Sequence, residues 1–432
     1  MRKSAFMCAF AVSAIVTACG SSSSGTSSTA AGDEGGACYG NGSCNTGLTC
    51  ASNLCVRLDS GSIPGDASDA CGNVTCESPP ATTCSDASTL TSYGKAGSCS
   101  AGACSYPKTD QKCAVVNATS SCADAKCAFT CKPGYSLCNG GASCCGDAIL
   151  FGGYGGSSVL SDTWAFDGTN WTKLAPTTSP SARIPAAMAT NGNRIVLFGG
   201  VGGKFNDTIF PDTWTFDGSN WSPVTTTASP SPRLLTSMSA VGSKTVLFGG
   251  TAMLDGSAAL GDTWTFDGTN WAPLTLATSP TARSLTSMAT LGTKAVLAGG
   301  NSTSQTWTFD GSSWSQPSAT PPASISRVMA MLGGKLVLVA TTVAGYTVAS
   351  TTWTFDGTTW SMLSPAHSPP ARESAAMAAV GGKIVFFGGN VEGVNYPPPL
   401  GDTWVFDGTD WTQLTPTTSP PARYSAVMAT LP

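Results

Sequence analysis

The sequence predicts an all-β fold: a six-bladed β-propeller closed by its own C-terminal strand, with small disulfide-rich modules ahead of it. Three observations carry that expectation. A W-x-F-D-G-x-x-W core recurs from Trp164, Trp214, Trp264, Trp307, Trp353 and Trp404, in steps of 50, 50, 43, 46 and 51 residues. Self-similarity near that period marks a repeat architecture. Each repeat also divides into four short apolar runs separated by N-G and D-G turn residues, which are hairpin signals, and four strands per unit describe a propeller blade. No stretch holds a 3.6-residue period, so helices are expected to be nearly absent. Finally, the repeat region opens on a second strand, Asp147–Phe151, and stops on a first strand, Tyr424–Leu431. Pairing those two ends would complete one shared blade and remove an open sheet edge.

Taken in order, residues 1–18 read as a signal peptide, with Arg2 and Lys3 before an apolar run too short to span a bilayer comfortably. Val16-Thr17-Ala18-Cys19-Gly20 resembles the bacterial lipobox. That resemblance implies cleavage before Cys19 and lipidation of its thiol. Gly20, where an Asp would retain the protein at the inner membrane, favours the outer membrane, with the head periplasmic or surface-facing. Residues 19–37 are a Ser/Gly-rich tether with too few apolar side chains to bury a core.

The chain has 18 cysteines. With Cys8 assigned to the signal and Cys19 to the lipid, an even number remains: Cys38, Cys44, Cys50, Cys55, Cys71, Cys76, Cys84, Cys99, Cys104, Cys113, Cys122, Cys127, Cys131, Cys138, Cys144 and Cys145. Dense cysteine in an exported segment reads as a disulfide framework rather than a metal site. Residues 38–55 form one small module, 56–70 a linker, and 71–146 a further Cys-rich region. Spacing alone leaves the pairing open.

Residues 147–432 are the propeller. In its second repeat, Ala186–Thr190 is small and apolar, Asn191-Gly192-Asn193 is a tight turn, and Arg194–Phe198 is β-branched and ends on Gly199-Gly200. A loop of variable length leads to Thr213–Asp217, and Trp221–Val224 follows the D-G turn. Trp164 and Phe166 share one strand face by the two-residue period, and the motif tryptophans are read as core. Gly-Gly pairs at 152–153, 199–200, 249–250, 299–300 and 388–389 suggest positive φ or close backbone approach. An Arg at 183, 233, 283, 327, 372 and 423 is read as the structural partner of a motif Asp such as Asp162.

The order Gly-Gly, variable loop, D-x-W-x-F-D, Trp, Leu, P-x-x-R resembles the kelch repeat over residues 147–432. The resemblance implies a propeller of four-stranded blades. Repeat four has Ala298-Gly299-Gly300 and repeat five Val339-Ala340-Thr341, and Arg327 lacks the proline three residues ahead, so those two blades are expected to be less regular.

Composition narrows the function. Formal charge is −4, charged residues are 11%, and the Lys and Arg are spread without a basic stripe, which disfavours nucleic acid. The one His, His367, is read as a solvated loop residue. A propeller with a single His and no Cys cannot supply the ligands of galactose oxidase, the copper enzyme that some kelch-containing proteins resemble, nor a Ser/His/Asp triad elsewhere. The F-D-G-x-x-W turns differ from the sialidase Asp-box by one residue of spacing. No enzyme, metal or cofactor is therefore expected, and a carbohydrate-active enzyme using loop carboxylates is the rival reading.

In a four-stranded meander the second-to-third loops share a face with the fourth-to-first connections. Those loops vary against a constant scaffold, which is where specificity can be written. They supply the ligand-binding candidates: Tyr154, Lys204, Phe205, Asn206, Asp207, Phe210, Asp255, Tyr346, Glu392, Asn395 and Tyr396. The expectation is a monomeric, lipid-anchored scaffold that binds a protein or a glycan, with a purely structural envelope protein as a further alternative.

Overall fold

The computed structural model describes residues 45, 48–51, 54–56, 78–86, 89–95, 98–100, 103–112, 118–123, 126–132, 135–138, 143–203, 208–300, 303–344, 347–391 and 398–431. The signal, the lipidation site Cys19, the tether and most of the two segments expected at 38–55 and 56–70 lie outside them. So do Cys38, Cys44, Cys71, Cys76 and Cys113. The chain divides into two compact units, Met1–Cys113 with Cys122–Cys127, and Ala114–Ser121 with Ala128–Pro432.

In the first unit, Thr83–Asp86, Thr89–Tyr93 and Lys108–Lys112 form an antiparallel three-stranded sheet. Few large apolar residues are available to it, and polar cross-strand contacts do part of the holding. The Thr91 hydroxyl donates to the Asp110 carboxylate at 2.5 Å, and the Lys112 ammonium donates to the Thr89 hydroxyl at 2.5 Å. Cys84 and Cys104 each take part in a disulfide bond.

The second unit begins ahead of residue 147. The hairpin Tyr135–Cys138/Ser143–Gly146 precedes the repeats, and Tyr135 packs on a core cluster that includes Ile149, Ala429 and Leu431. A Cβ on Gly146 would lie 1.8 Å from the Leu431 carbonyl oxygen, so only glycine lets the chain end pass there.

Among the described residues there is no helix, and the repeats form six four-stranded antiparallel sheets. The second is typical: Ala187–Asn191, Arg194–Phe198, Thr213–Phe216 and Trp221–Val224, in chain order. Sheets three to six start at Ser237, Ser287, Ser326 and Ala376. The first sheet is assembled from both ends. Val427–Thr430 pairs with Ala148–Phe151, and Ile149 stands opposite Ala429. The first strands neighbour one another all the way round, and Val427–Thr430 lies against those of both sheet two and sheet six.

Packing follows from alternation. Both faces of the second strands are buried, as in Ile195, Val196, Leu197 and Phe198. One face packs on the preceding sheet and the other on the following one. Six apolar clusters result, linking each sheet to the next and sheet six back to sheet one. All 12 tryptophans of the chain fall in the repeated motif. The second Trp of each motif is buried beside its own motif Phe, with Phe166 and Trp171 rings 4.9 Å apart.

Each of those indoles also donates to a threonine hydroxyl of the preceding sheet. Trp221 reaches Thr163, Trp271 reaches Thr213, Trp314 reaches Thr263, Trp360 reaches Thr306 and Trp411 reaches Thr352. Trp171 completes the relay on Thr403 of sheet six at 3.0 Å. A buried indole N–H left unpaired would be costly, which explains why a Thr stands immediately before the first motif Trp in every sheet.

Candidate functional site

The repeat arginines build the rim of the face that carries the variable loops. Arg183 forks onto Asp212 at 2.6 and 2.9 Å and donates to the Gly199 carbonyl, while Trp214 donates to the same carboxylate. Arg233 with Asp262, and Arg372 with Asp402, repeat this arrangement. Arg423 pairs with Asp162 and the Gly152 carbonyl, and so ties the end of the repeat region to its beginning. Gly199 is at φ 72°, and a Cβ there would meet the Arg233 carbonyl oxygen at 2.5 Å. The Gly-Gly pair is thus the seat on which the next repeat's arginine backbone rests.

Two positions depart from this rule. Arg283 faces Gln305 instead of an Asp, at 2.7 Å. Arg327 is not the repeat arginine at all, which corrects the sequence assignment. The others stand five residues before a buried Met (Met188, Met238, Met288, Met377, Met428), and Met329 puts Ser324 in that place. Sheet five therefore replaces the whole unit together: Ser324 for the Arg, Ala340 for the Gly and Thr351 for the Asp. Thr351 takes over as acceptor for the Trp353 indole, and the Thr341 hydroxyl donates to the Arg372 carbonyl, which a Gly amide serves in other sheets.

Just past the arginines, one or more residues from every sheet converge on a cavity of about 280 Å³ at the mouth of the central channel. Among its lining residues are Leu235, Leu285, Ile325, Arg327, Glu373, Ser374 and Ser425. Leu235 and Leu285 sit at φ 56°, and Ser374 and Ser425 at φ 53°. Positive φ is unusual for a leucine, and residues held there cluster at functional sites. The conformation turns the amides sideways along the rim: Leu285 N–H donates to the Leu235 carbonyl, and Ser425 N–H to the Ser374 carbonyl. Leu285 and Ile325 are 53% and 43% exposed, so the mouth offers apolar surface beside its charged groups.

Isolated bridges join the loops to this rim: Tyr154 to Tyr424, Val201 to Ile184, Thr251 to Leu234 and Asn390 to Glu373. Tyr154 is half-buried, its ring 5.3 Å from that of Tyr424. Phe210 is half-buried too, with the Arg183 guanidinium 4.3 Å from its ring centre, so this ring braces the scaffold instead of standing free as an anchor. Asp255 is exposed and closes a turn of its own loop by accepting the Ser257 amide at 2.9 Å. Its hydrogen bonds from Ser257 hold the carboxyl below the ordinary range. Lys204, Phe205, Asn206, Asp207, Tyr346, Glu392, Asn395 and Tyr396 lie outside the described residues.

The channel mouth itself was missed from sequence. Its signal was present two residues past each repeat arginine, where Pro185, Leu235, Leu285, Ser374 and Ser425 differ between otherwise similar repeats. His367 is solvent-exposed, as its loop position suggested, and pairs with Asp410 at 2.7 Å. The equivalent contact elsewhere joins a Thr to an Asn, as in Thr177 and Asn220.

The family model described as the KLHDC2/KLHL20/DRC7 Kelch-repeats domain matches residues 89–300 and again residues 142–340, together more than half of the 432 residues. The chain belongs to the kelch-repeat family. The kelch sheets continue to Thr430, beyond the matched span, with the same motif spacing at Trp353 and Trp404. No curated protein matches this chain. Within this domain, sheet five stands apart from the others by the loss of its Arg/Asp unit.

Proposed function

We propose that the chain is a binding scaffold held at the cell envelope: a lipid on Cys19, a disulfide-bonded spacer drawn from the cysteines between Cys38 and Cys145, and a six-bladed kelch propeller as the recognition head. The observation that carries the reading is the asymmetry between the two faces. One face bears uniform tight turns, and those between third and fourth strands are each closed by an Asp that accepts amides two and three residues on, as Asp167 does from Thr169 and Asn170. The other bears loops of different length and content around a cavity with strained backbone, exposed Leu285 and Ile325, and charged Arg327 and Glu373. Kelch repeats support an interaction role for such a face, and a protein or glycan partner is the ligand class we assign to it. Cleavage before Cys19 and export would place the head in the periplasm or on the cell surface.

The test is partner capture by the full chain, set against a variant in which residues 203–208, 252–258 and 391–398 are replaced by Gly-Ser. Capture should fall at least ten-fold in the variant while its thermal midpoint stays close to the parent's. Equal capture by both would remove this face from the function. The carbohydrate-active alternative would show as hydrolysis by the full chain that disappears in D255A.

A further inference from the structure

The junction of sheets four and five concentrates positive charge that the rest of the rim neutralises. Four repeat arginines each face an aspartate. Arg283 is 1% exposed and, among the described residues, its hydrogen-bond partners are all uncharged: the Thr281 hydroxyl and carbonyl, the Gly299 carbonyl, the Thr303 hydroxyl and the Gln305 amide oxygen. Arg327 is half-buried, and among the described residues its hydrogen bonds go only to Ser324: Nε to the hydroxyl at 2.9 Å and Nη2 to the carbonyl at 2.8 Å.

The two side chains converge. A Cβ on Gly299 would sit 1.5 Å from the Arg327 Nη1, and a Cβ on Gly300 would sit 3.1 Å from the Arg283 Cδ. They therefore press on consecutive residues of one glycine pair. Burial pushes both guanidiniums below their ordinary pKa. A desolvated cation without a counter-ion is costly unless an anion arrives.

We propose that the channel mouth is a carboxylate-binding site in which Arg327, backed by Arg283, holds a small monocarboxylic acid with a short branched apolar arm. Charge selects the anion. Among the described residues, Arg327 and Glu373 line the mouth and Arg283 stands buried behind Arg327, so two guanidiniums outnumber one carboxylate, which suits a monoanion better than a phosphate dianion. The open edge of Arg327 at Nη1 can donate to a carboxylate oxygen. Leu285 and Ile325 flank it and would cover an aliphatic arm. The volume of about 280 Å³ is that of a small-molecule site, not a macromolecular groove. The assignment stands whether or not the loops above capture a partner.

Calorimetric titration of the full chain tests it, with isovalerate, isovaleramide and inorganic phosphate as probes. Isovalerate should bind with one site per chain, and the amide and phosphate at least ten-fold more weakly. R327M should abolish isovalerate binding. Q305D restores the acid that the other sheets have beside their arginine; it should raise the thermal midpoint and weaken isovalerate at least ten-fold, and it keeps the test decisive if R327M does not fold. Amide binding equal to that of the acid, tighter binding of phosphate, or unchanged binding by Q305D would each overturn the assignment. So would a leucine-terminated peptide that binds while isovalerate does not.

Discussion

Asp147 shows how one residue's surroundings set its chemistry. It lies at the seam where the hairpin before the repeats meets the closing strand, and its carbonyl accepts the Leu431 amide at 3.0 Å. Burial pushes its carboxyl up to about 6, with the charge of Asp167 adding to the rise and a hydrogen bond from Ser136 opposing it. The rim aspartates go the other way. At Asp162 burial alone would raise the carboxyl, but hydrogen bonds from Arg423 and Trp164 and the Arg423 charge outweigh it and hold it below the ordinary range. The two kinds of site have opposite pH signatures. Asp162, Asp212, Asp262 and Asp402 contribute stability that is present above pH 4 and lost as acid protonates them. Asp147 binds its proton more tightly folded than unfolded, so its contribution declines as pH rises from about 4 to about 6. Over that window the decline is on the order of 2–3 kcal/mol. D147N should flatten stability between pH 4 and 6, measured by denaturant melts across that range. A slope identical to the parent's would contradict this account of the seam.

At the scale of elements, the sheets are joined by the indole-to-threonine relay as well as by apolar contact. Trp171 is 2% exposed and donates to Thr403 of sheet six. T403V keeps the shape and removes the acceptor, leaving a buried N–H unpaired; the expected loss is about 1–3 kcal/mol. Double-mutant cycles with Trp171→Phe should show that the two losses are not additive. Additive losses would mean that the bond contributes nothing between the sheets. Sheet five has no Phe to offer its neighbour, since Val339 stands where Phe198 and Phe248 stand in sheets two and three. Its strands compensate by length: Lys335–Ala344 and Thr347–Phe355 pair over nine positions, against four for the corresponding strands of sheet two. The blade that abandoned the Arg/Asp unit thus gained a long hairpin instead.

For the whole molecule, stability depends on the junction between the two ends of the repeat region. Val427–Thr430 supplies the first strand of sheet one, Met428 and Leu431 enter two different clusters, and Arg423 pairs with Asp162. Deleting residues 427–432 exposes the edge of Ala148–Phe151 and empties both clusters at once. Losses of several kcal/mol follow, and the thermal midpoint should fall by more than about 10 °C. A midpoint within error of the parent's would mean that the ends need not meet.

Much of this was legible in the residues because it is local or repeated. The tryptophan period, the N-G and D-G turns and the Gly-Gly pairs each reflect a backbone demand met within a few positions, and six copies make the pattern unmistakable. The pairing of the two truncated ends was legible for the same reason, since each end lacks the strand that the other has. Arg327 was misread because P-x-x-R spacing fails in that repeat, whereas the register set by Met329 would have assigned Ser324.

The sequence by itself determined the strand content, the repeat and the family, because those follow from periodicity. Only the tertiary structure decided which residues meet at the channel mouth, since positions some 50 residues apart converge there from every sheet. It also separated the neutralised arginines from Arg283 and Arg327, because a counter-ion is a matter of distance in space and not of order along the chain.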